Sequence, residues 1–244
     1  MTERRHYSKA PIREAIIDFR VVLPDYITLK NLYDLFPKIN ADYPQQESSW
    51  LLQSQVTAGP SIGTSTNQTQ TGYVYTSSDR RQVLNAGLAG FTFSQMEPYD
   101  RWEVFRDEAK RLWQIYRESI DILSVTRIGA RYVNRIDIPS TSIDFKDFFR
   151  TIPEVSPDLP QGLSGYFMQL QIPQEDIEAM VLINQFMAPP QSSESVSVIL
   201  DIDVFQEALQ IVDDSFWASL EILHAKIDNV FEACITNKTR ELIQ

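Results

Sequence analysis

The stretch RIGARYVNRIDIP, residues 127–139, decides the fold. Its odd-numbered positions include Arg127, Arg131 and Arg135, whereas its even-numbered positions are mostly apolar. Successive side chains of a strand point to opposite faces of a sheet, so this alternation predicts a β-strand with a row of three guanidinium groups on one face. A spacing of four residues would also suit a helix face, but Gly129 and several β-branched residues favour the strand.

Two further segments show the same alternation. IREAIIDFRVV, near the N-terminus, puts alternate apolar residues on one face and Glu14, Asp18 and Arg20 on the other. SVSVILDIDVF, near the C-terminus, puts Asp201 and Asp203 on the face opposite its valines. The three segments together predict a sheet with one apolar face under helices and one face that carries both signs of charge, which we name the charged face.

Two amphipathic segments have the spacing of long helices. They are DRWEVFRDEAKRLWQIYRESIDIL, from Asp100, and DDSFWASLEILHAKIDNVFEACI, from Asp213. Glu103 follows Asp100 by three residues, which predicts a capping box at the first helix. Trp102 and Trp217 are 115 residues apart, and a shift of 115 also aligns other apolar helix positions. This repeat predicts an internal duplication.

The predicted fold class is α+β, with a largely antiparallel sheet and long helices on one of its faces. The duplication divides the chain into two similar βαβββα-like halves, residues 1–122 and 123–244, packed as one compact body. Residues 41–71 are polar and rich in Ser, Thr, Gln and Gly, so they are predicted to form a long loop, although SSWLLQSQV within them is compatible with a strand.

Composition and charge limit the classes of function. The chain has 244 residues, 43% hydrophobic and 23% charged, which is typical of a globular protein. Its net charge is -11, and an acidic chain repels phosphate backbones, which argues against nonspecific binding of nucleic acid. No apolar run reaches the length of a membrane helix, which takes about 18 residues. The sequence therefore predicts no contact with a membrane, and the single cysteine, Cys234, which cannot form an internal disulfide, predicts a cytoplasmic protein.

Most motifs of enzyme chemistry are missing from the sequence. It contains neither a Gly-rich phosphate loop of the G-K-[ST] type nor a pair of cysteines or histidines at zinc-ligand spacing. His6 is predicted to be exposed, and His224 and Cys234 are predicted to lie in the core side of the last helix. No catalytic residue and no cofactor is therefore predicted.

The candidate site is the charged face, and two interpretations of it stay open. Its residues are Arg20, Arg127, Arg131, Arg135, Asp201 and Asp203. In the first interpretation they form a cross-strand ladder of ion pairs, each worth roughly 0 to 1 kcal/mol when exposed. In the second they line a polar surface for a small anionic ligand, because the planar fork of arginine matches a carboxylate or a phosphate.

The alternative function is a metal-dependent enzyme that handles phosphates or nucleotides. Asp201 and Asp203 point the same way, about 7 Å apart along the strand, and together with the arginines they would hold Mg²⁺ or Mn²⁺ and a phosphate. Triphosphate-handling barrels of this kind usually add several lysines and further glutamates, and the strands predicted here contain no lysine. The sequence therefore favours a non-enzymatic protein that binds a protein partner or a second copy of itself as a homodimer, because exposed sheet edges need cover.

Three segments carry a family resemblance that spans nearly the whole chain. APIREAIIDFR, TRIGARYVNRIDIP and HAKIDNVFEACIT, at the start, middle and end, resemble a sporadically distributed, uncharacterised family of prokaryotic proteins. The R-I-G-x-R-Y-x-N-R-I segment is the distinctive one. The resemblance implies no established activity, cofactor or catalytic residue, and the patchy distribution of the family implies a link to mobile or defence genes.

Overall fold

The computed structural model describes residues 7–57 and 63–244, and the side chains of residues 7–53 and 66–244 among them. His6 lies outside these residues. The strands are β1 (Ile12–Val22), β2 (Gln45–Thr57), β3 (Gly63–Thr76), β4 (Gln82–Gly87), β5 (Gly90–Met96), β6 (Ser124–Ile138), β7 (Phe167–Gln174), β8 (Ala179–Ala188) and β9 (Val196–Gln206). The helices are α1 (Leu29–Tyr33), α2 (Phe36–Ile39), α3 (Trp102–Ser119), α4 (Phe216–Cys234) and α5 (Asn237–Ile243), with short 3-10 turns at Phe145–Asp147 and Glu175–Ile177.

One antiparallel sheet runs through the whole molecule. Its nine strands lie in the order β2-β3-β4-β5-β1-β6-β9-β8-β7, so β1 and β6 meet at the centre. The stretch that predicted the fold lies in β6, and its even positions from Ile128 to Ile138 are buried. The α+β fold class and the strand assignment of this stretch are confirmed.

The two long helices cover one face of the sheet. α3 contacts β5, and α4 contacts β6 and β9. Phe19 of β1 lies at the centre of the core, with its ring 5.0 Å from Trp113 of α3, 4.8 Å from Phe216 and 5.3 Å from Trp217 of α4. The central strand of the first half is therefore packed against the long helices of both halves. Among the described residues, no helix has the length and apolar character needed to cross a membrane.

Residues that are 115 positions apart meet at two places between the two halves. At the centre of the β1–β6 pairing, Ile16 lies opposite Arg131, and these two residues are 115 positions apart. In the helix layer, Arg106 Nη1 of α3 lies 2.8 Å from Glu221 Oε1 of α4, and these residues are also 115 positions apart. Equivalent residues meet each other at a two-fold axis. The geometry supports the predicted duplication, which stays a prediction, and the boundary at 122/123 falls between α3 and β6.

The prediction of a loop at residues 41–71 is wrong. β2 and β3 pair along their full lengths as a hairpin, with Gln45 opposite Thr76 and Thr57 opposite Gly63. Residues 58–62, at its tip, lie outside the described part of the chain. Polar strands are stabilised by their ladder of main-chain hydrogen bonds, so the period-2 alternation that marks a strand with one buried face is missing here. The first half thus has one strand more than the second.

The predicted capping box at α3 is also wrong. The helix begins at Trp102, so the capping position falls on Arg101, and no side chain caps it. The side chain of Asp100 is exposed and lies 3.7 Å from the guanidinium of Arg101. Trp102, the first residue of the helix, is buried, and its indole Nε1–H donates to Glu221 of α4 at 2.8 Å.

Candidate functional site

Arg127 lies on the charged face, opposite the helices, and is held by two aspartates. Its Nη1 donates to Asp18 Oδ2 of β1, and its Nη2 donates to Asp203 Oδ2 of β9 at 2.9 Å. Its Nε lies 3.6 Å from Glu207 Oε1. Only 8% of its side chain is exposed, so this is a nearly buried cation between strands rather than a cation offered to solvent.

A glycine and an aromatic ring make room for this guanidinium. Arg127 folds back along β6 over Gly129, where a Cβ atom would lie 2.8 Å from Nη1 of Arg127 and 2.9 Å from Oδ1 of Asp18. The ring of Phe205, opposite Gly129 on β9, stacks 4.3 Å from the guanidinium carbon. A cation over an aromatic face is stabilised by about 0.5–2 kcal/mol, more when water is excluded.

Arg131 forms the second ion pair of the charged face. Its Nε and Nη2 donate to the two carboxylate oxygens of Asp201, each at 2.7 Å, in the bidentate geometry that arginine favours. Asn184 of β8 also donates to Asp201, at 3.0 Å, and Gln169 of β7 donates to Asn184 at 2.8 Å. A polar network therefore crosses four neighbouring strands. Asp201 is 5% exposed, whereas Arg131 is 41% exposed.

The other two predicted arginines lie apart from these pairs. Arg135, near the end of β6, donates to Asp137 at 3.0 Å and to the hydroxyl of Ser197 at 2.8 Å. Arg20, at the other end of the face, is exposed, and its Nη1 lies 3.7 Å from Glu207. The structure thus brings Arg127, Asp203, Arg131 and Asp201 together, leaves Arg20 at their margin and places Arg135 in a separate cluster.

Asp203 is the member of the site whose hydrogen bonding is incomplete. Its Oδ2 accepts from Arg127, but its Oδ1 is buried without a hydrogen-bond partner among the described residues. Burial, only partly opposed by Arg127, raises the pKa of the Asp203 carboxyl to about 6. A perturbed acid of this kind is a marker of functional sites, although structural ion-pair networks produce it as well.

The aspartates were also predicted, in the alternative interpretation, to hold Mg²⁺ or Mn²⁺. Both oxygens of Asp201 already accept hydrogen bonds from Arg131, and one of them accepts a further bond from Asn184. Within the described part of the chain, no group of three or more His, Cys, Asp or Glu side chains is placed to share a metal ion. Mg²⁺ keeps several waters and is often held by only one or two carboxylates, so the Mg²⁺ or Mn²⁺ site stays a prediction.

A groove beside the ion pairs was not foreseen from the sequence. Met180 and Leu182 of β8 and Phe205 of β9 line it with half-exposed apolar surface, and its volume is about 400 Å³. Gln171, Glu178 and Glu207 contribute polar groups at its margin. The signal was present in the period-2 pattern of β8, because Met180, Leu182 and Asn184 alternate with residues buried in the core.

Helix α4 carries the remaining residues with reactive side chains. His224 is buried and stacks on the indole of Trp102, with ring centres 3.9 Å apart. Cys234 is also buried, and burial raises the pKa of its thiol to about 11, which keeps it protonated and unreactive. The prediction that both residues lie in the core is confirmed.

No protein-family model matches the chain, and no curated protein sequence matches it either. The class that the structure itself defines is an α+β protein with one nine-stranded antiparallel sheet.

Proposed function

We propose that this chain is a non-enzymatic, cytosolic binding protein that uses its charged face to bind a protein partner. The observation that carries the proposal is the groove formed by Met180, Leu182 and Phe205 beside the Arg127 ion pairs. In the described residues both long helices lie on the other face, so this one is free to meet a partner.

The residue types of the face suit a protein better than a small anion. Aromatic residues, methionine and arginine are enriched at the cores of protein interfaces. The guanidinium of Arg127 is already shared by two aspartates, and Nε and Nη2 of Arg131 both donate to Asp201. A small carboxylate or phosphate at Arg127, whose side chain is 8% exposed, would have to displace these partners, whereas a protein would add contacts to them.

The charges around the groove indicate what the partner presents. Glu178 and Glu207 lie at its margin, and the second half of the chain holds 8 basic and 18 acidic residues. We expect an apolar anchor side chain in the groove, flanked by lysine or arginine that complements the acidic rim. The family resemblance adds the proposal that a neighbouring mobile or defence gene encodes this partner.

The proposal is tested by capture of candidate partners encoded near the gene, with surface variants of the purified protein. Leu182→Glu puts a charge into the groove and is expected to reduce the amount of bound partner by at least about tenfold, the effect of losing an interface hot spot. Val212→Glu makes the same change at an exposed residue between β9 and α4, and it should bind as the wild type does. Retention of the partner by Leu182→Glu would contradict the proposal.

One experiment tests both the enzyme alternative and the binding of a small anionic ligand. Thermal unfolding is followed with nucleotides and polyphosphates in the presence of Mg²⁺ or Mn²⁺. The engaged oxygens of Asp201 weigh against this alternative, and the partnerless Oδ1 of Asp203 is the one feature in its favour. Stabilisation by such a ligand that disappears in both Arg131→Ala and Asp203→Ala would favour the enzyme.

A further inference from the structure

The β2–β3 hairpin extends beyond the rest of the sheet. β4 pairs with residues 72–76 of β3, whereas β2 and β3 pair with each other from Gln45 to the tip. β2 is the edge strand at this end of the sheet. The distal part of the hairpin is thus a two-stranded ribbon, an arrangement that is marginally stable in water on its own.

This ribbon exposes large apolar side chains on its outer strand. Trp50, Leu51 and Leu52 are 55%, 48% and 61% exposed. Their partners on β3 are Gln70, Thr69 and Gln68, of which Gln70 is half-buried and the other two are exposed, so the middle of the ribbon is in contact with solvent on both of its faces. An edge strand with outward main-chain donors and acceptors and with exposed tryptophan and leucine is a template for another strand.

The ribbon also lacks the charges that usually protect an edge. No Asp, Glu, Lys or Arg occurs between Glu47 and Asp79, in a chain in which 23% of the residues are charged. The other edge strand, β7, is shorter, contains Pro173, which lacks a main-chain N–H, and runs directly into Glu175 and Asp176. Proline and charge protect β7 against pairing, whereas β2 has no proline and its one charged residue, Glu47, lies four positions before Leu51.

We infer that β2 pairs with β2 of a second copy of this chain, antiparallel about a two-fold axis close to Leu51. Trp50 of one copy then lies opposite Leu52 of the other, and the two ribbons become a four-stranded unit. A β2–β7 contact between copies would instead be head-to-tail, and such contacts close only as rings or continue as filaments.

Charge explains why the occupant is a second copy. Each chain carries a net charge of -11, so two copies repel each other wherever their acidic surfaces meet. The uncharged ribbon is the surface on which two copies approach without like-charge contacts. When a strand pairs with its own copy across a two-fold axis, a charged residue near that axis lies beside the same charged residue of the other copy, which is unfavourable. The residues of β2 next to Leu51 are uncharged.

The dimer leaves the proposed partner site accessible. β2 and β6 are separated by four strands, which places the ribbon about 24 Å from the Arg127 cluster at the usual strand spacing. The Leu182→Glu variant should therefore dimerise as the wild type does. The dimer and the partner site are thus tested by separate variants, and failure of one proposal leaves the test of the other unchanged.

Sedimentation velocity of the full chain tests the dimer. At micromolar concentration, the molecular mass obtained for the wild type is expected to be twice the 28.1 kDa of one chain. The double change Trp50→Lys with Leu52→Lys should give a monomer at the same concentration, because lysine on an edge strand blocks pairing. The matched control is Phe167→Lys on the other edge, where the side chain is equally exposed, and it should remain a dimer.

Charge complementation tests the pairing itself. Leu51→Lys and Leu51→Glu should each be monomeric, because each puts like charges across the axis, and their mixture should form a heterodimer. A wild type that stays monomeric, a double variant that stays dimeric, a dimer that Phe167→Lys dissociates or a mixture that does not associate would each overturn the inference. A cooperative thermal unfolding transition of each variant confirms that it is folded, and its midpoint should lie below that of the wild type only by the contribution of the dimer.

Discussion

At the scale of single residues, the packing of the charged face depends on how the buried guanidinium of Arg127 is paired. A guanidinium that is 8% exposed needs partners on several sides, and Asp18, Asp203 and the ring of Phe205 provide them. Removal of one partner of a buried ion pair costs about 3–5 kcal/mol, because it leaves the other charge uncompensated. The site therefore tolerates little change even where it contacts no ligand.

Gly129→Ala is predicted to destabilise the protein by about 1–3 kcal/mol. The new methyl group would approach Arg127 Nη1 to 2.8 Å and Asp18 Oδ1 to 2.9 Å, so the ion pair must shift. Urea denaturation measures the difference. Gly165→Ala is the matched control, since its Cβ would meet nothing within 4 Å, and it should be neutral or slightly stabilising. Equal effects of the two changes would disprove the crowding at Gly129.

The pH dependence of stability is predicted to depend on Asp203. Its pKa is about 6 in the folded protein and 3.8 ordinarily, so the folded state takes up a proton first as the pH falls. The unfolding free energy of the wild type should therefore rise relative to that of Asp203→Asn between pH 7 and pH 4, by up to roughly 3 kcal/mol. Denaturant titrations of both proteins across this range measure it. Parallel pH profiles would show that the Asp203 carboxyl is not perturbed.

At the scale of elements, strands with one buried face were predictable and strands without one were not. β1 has a period of two in burial, and every second residue of β6 and β9 is buried in the same way because helices cover one side of the sheet, although Arg127 and Asp201 are also buried on the other side. That period assigned Arg127, Arg131, Asp201 and Asp203 to the charged face. β2 and the distal part of β3 lack this period-2 alternation of apolar and polar residues. Their Ser, Thr and Gln residues predict a loop, whereas the structure pairs them as strands.

The periodicity of the sequence does not predict which side chains form ion pairs within the candidate site. The sequence places Asp201 and Asp203 on the same face as the arginines, but the register and the bending of long side chains decide which carboxylate meets which guanidinium. In register Arg131 lies opposite Asp203, yet its side chain reaches diagonally to Asp201. The groove at Leu182 was missed for a related reason, since it exists only once β8 and β9 are side by side.

At the scale of the whole molecule, the two halves share one core. Phe19 of the first half contacts Phe216 and Trp217 of the second, and the β1–β6 pairing joins the halves at the centre of the sheet. Neither half alone could supply hydrogen-bond partners to both edges of its central strand, and neither alone could bury this aromatic cluster. The repeat is therefore expected to describe the symmetry of the fold and not two independent domains.

Separate chains of residues 1–122 and 123–244 are predicted not to fold cooperatively on their own. Each would expose the central strand and the ring contacts that the other half covers. Near-ultraviolet circular dichroism during urea denaturation should show a cooperative transition only when the two chains are produced together. A cooperative transition for residues 1–122 alone, at the denaturant midpoint of the full chain, would show independent domains.

The pairing of Ile16 with Arg131 has a consequence for ancestry. A half-length ancestor would have assembled as a symmetric pair, in which the residue at this position faced its own twin. An arginine there would have confronted an identical arginine, an arrangement that selection disfavours. Under the predicted duplication, fusion of the two genes would free each copy to mutate alone, which would allow a cation on one side of the axis and a hydrocarbon on the other.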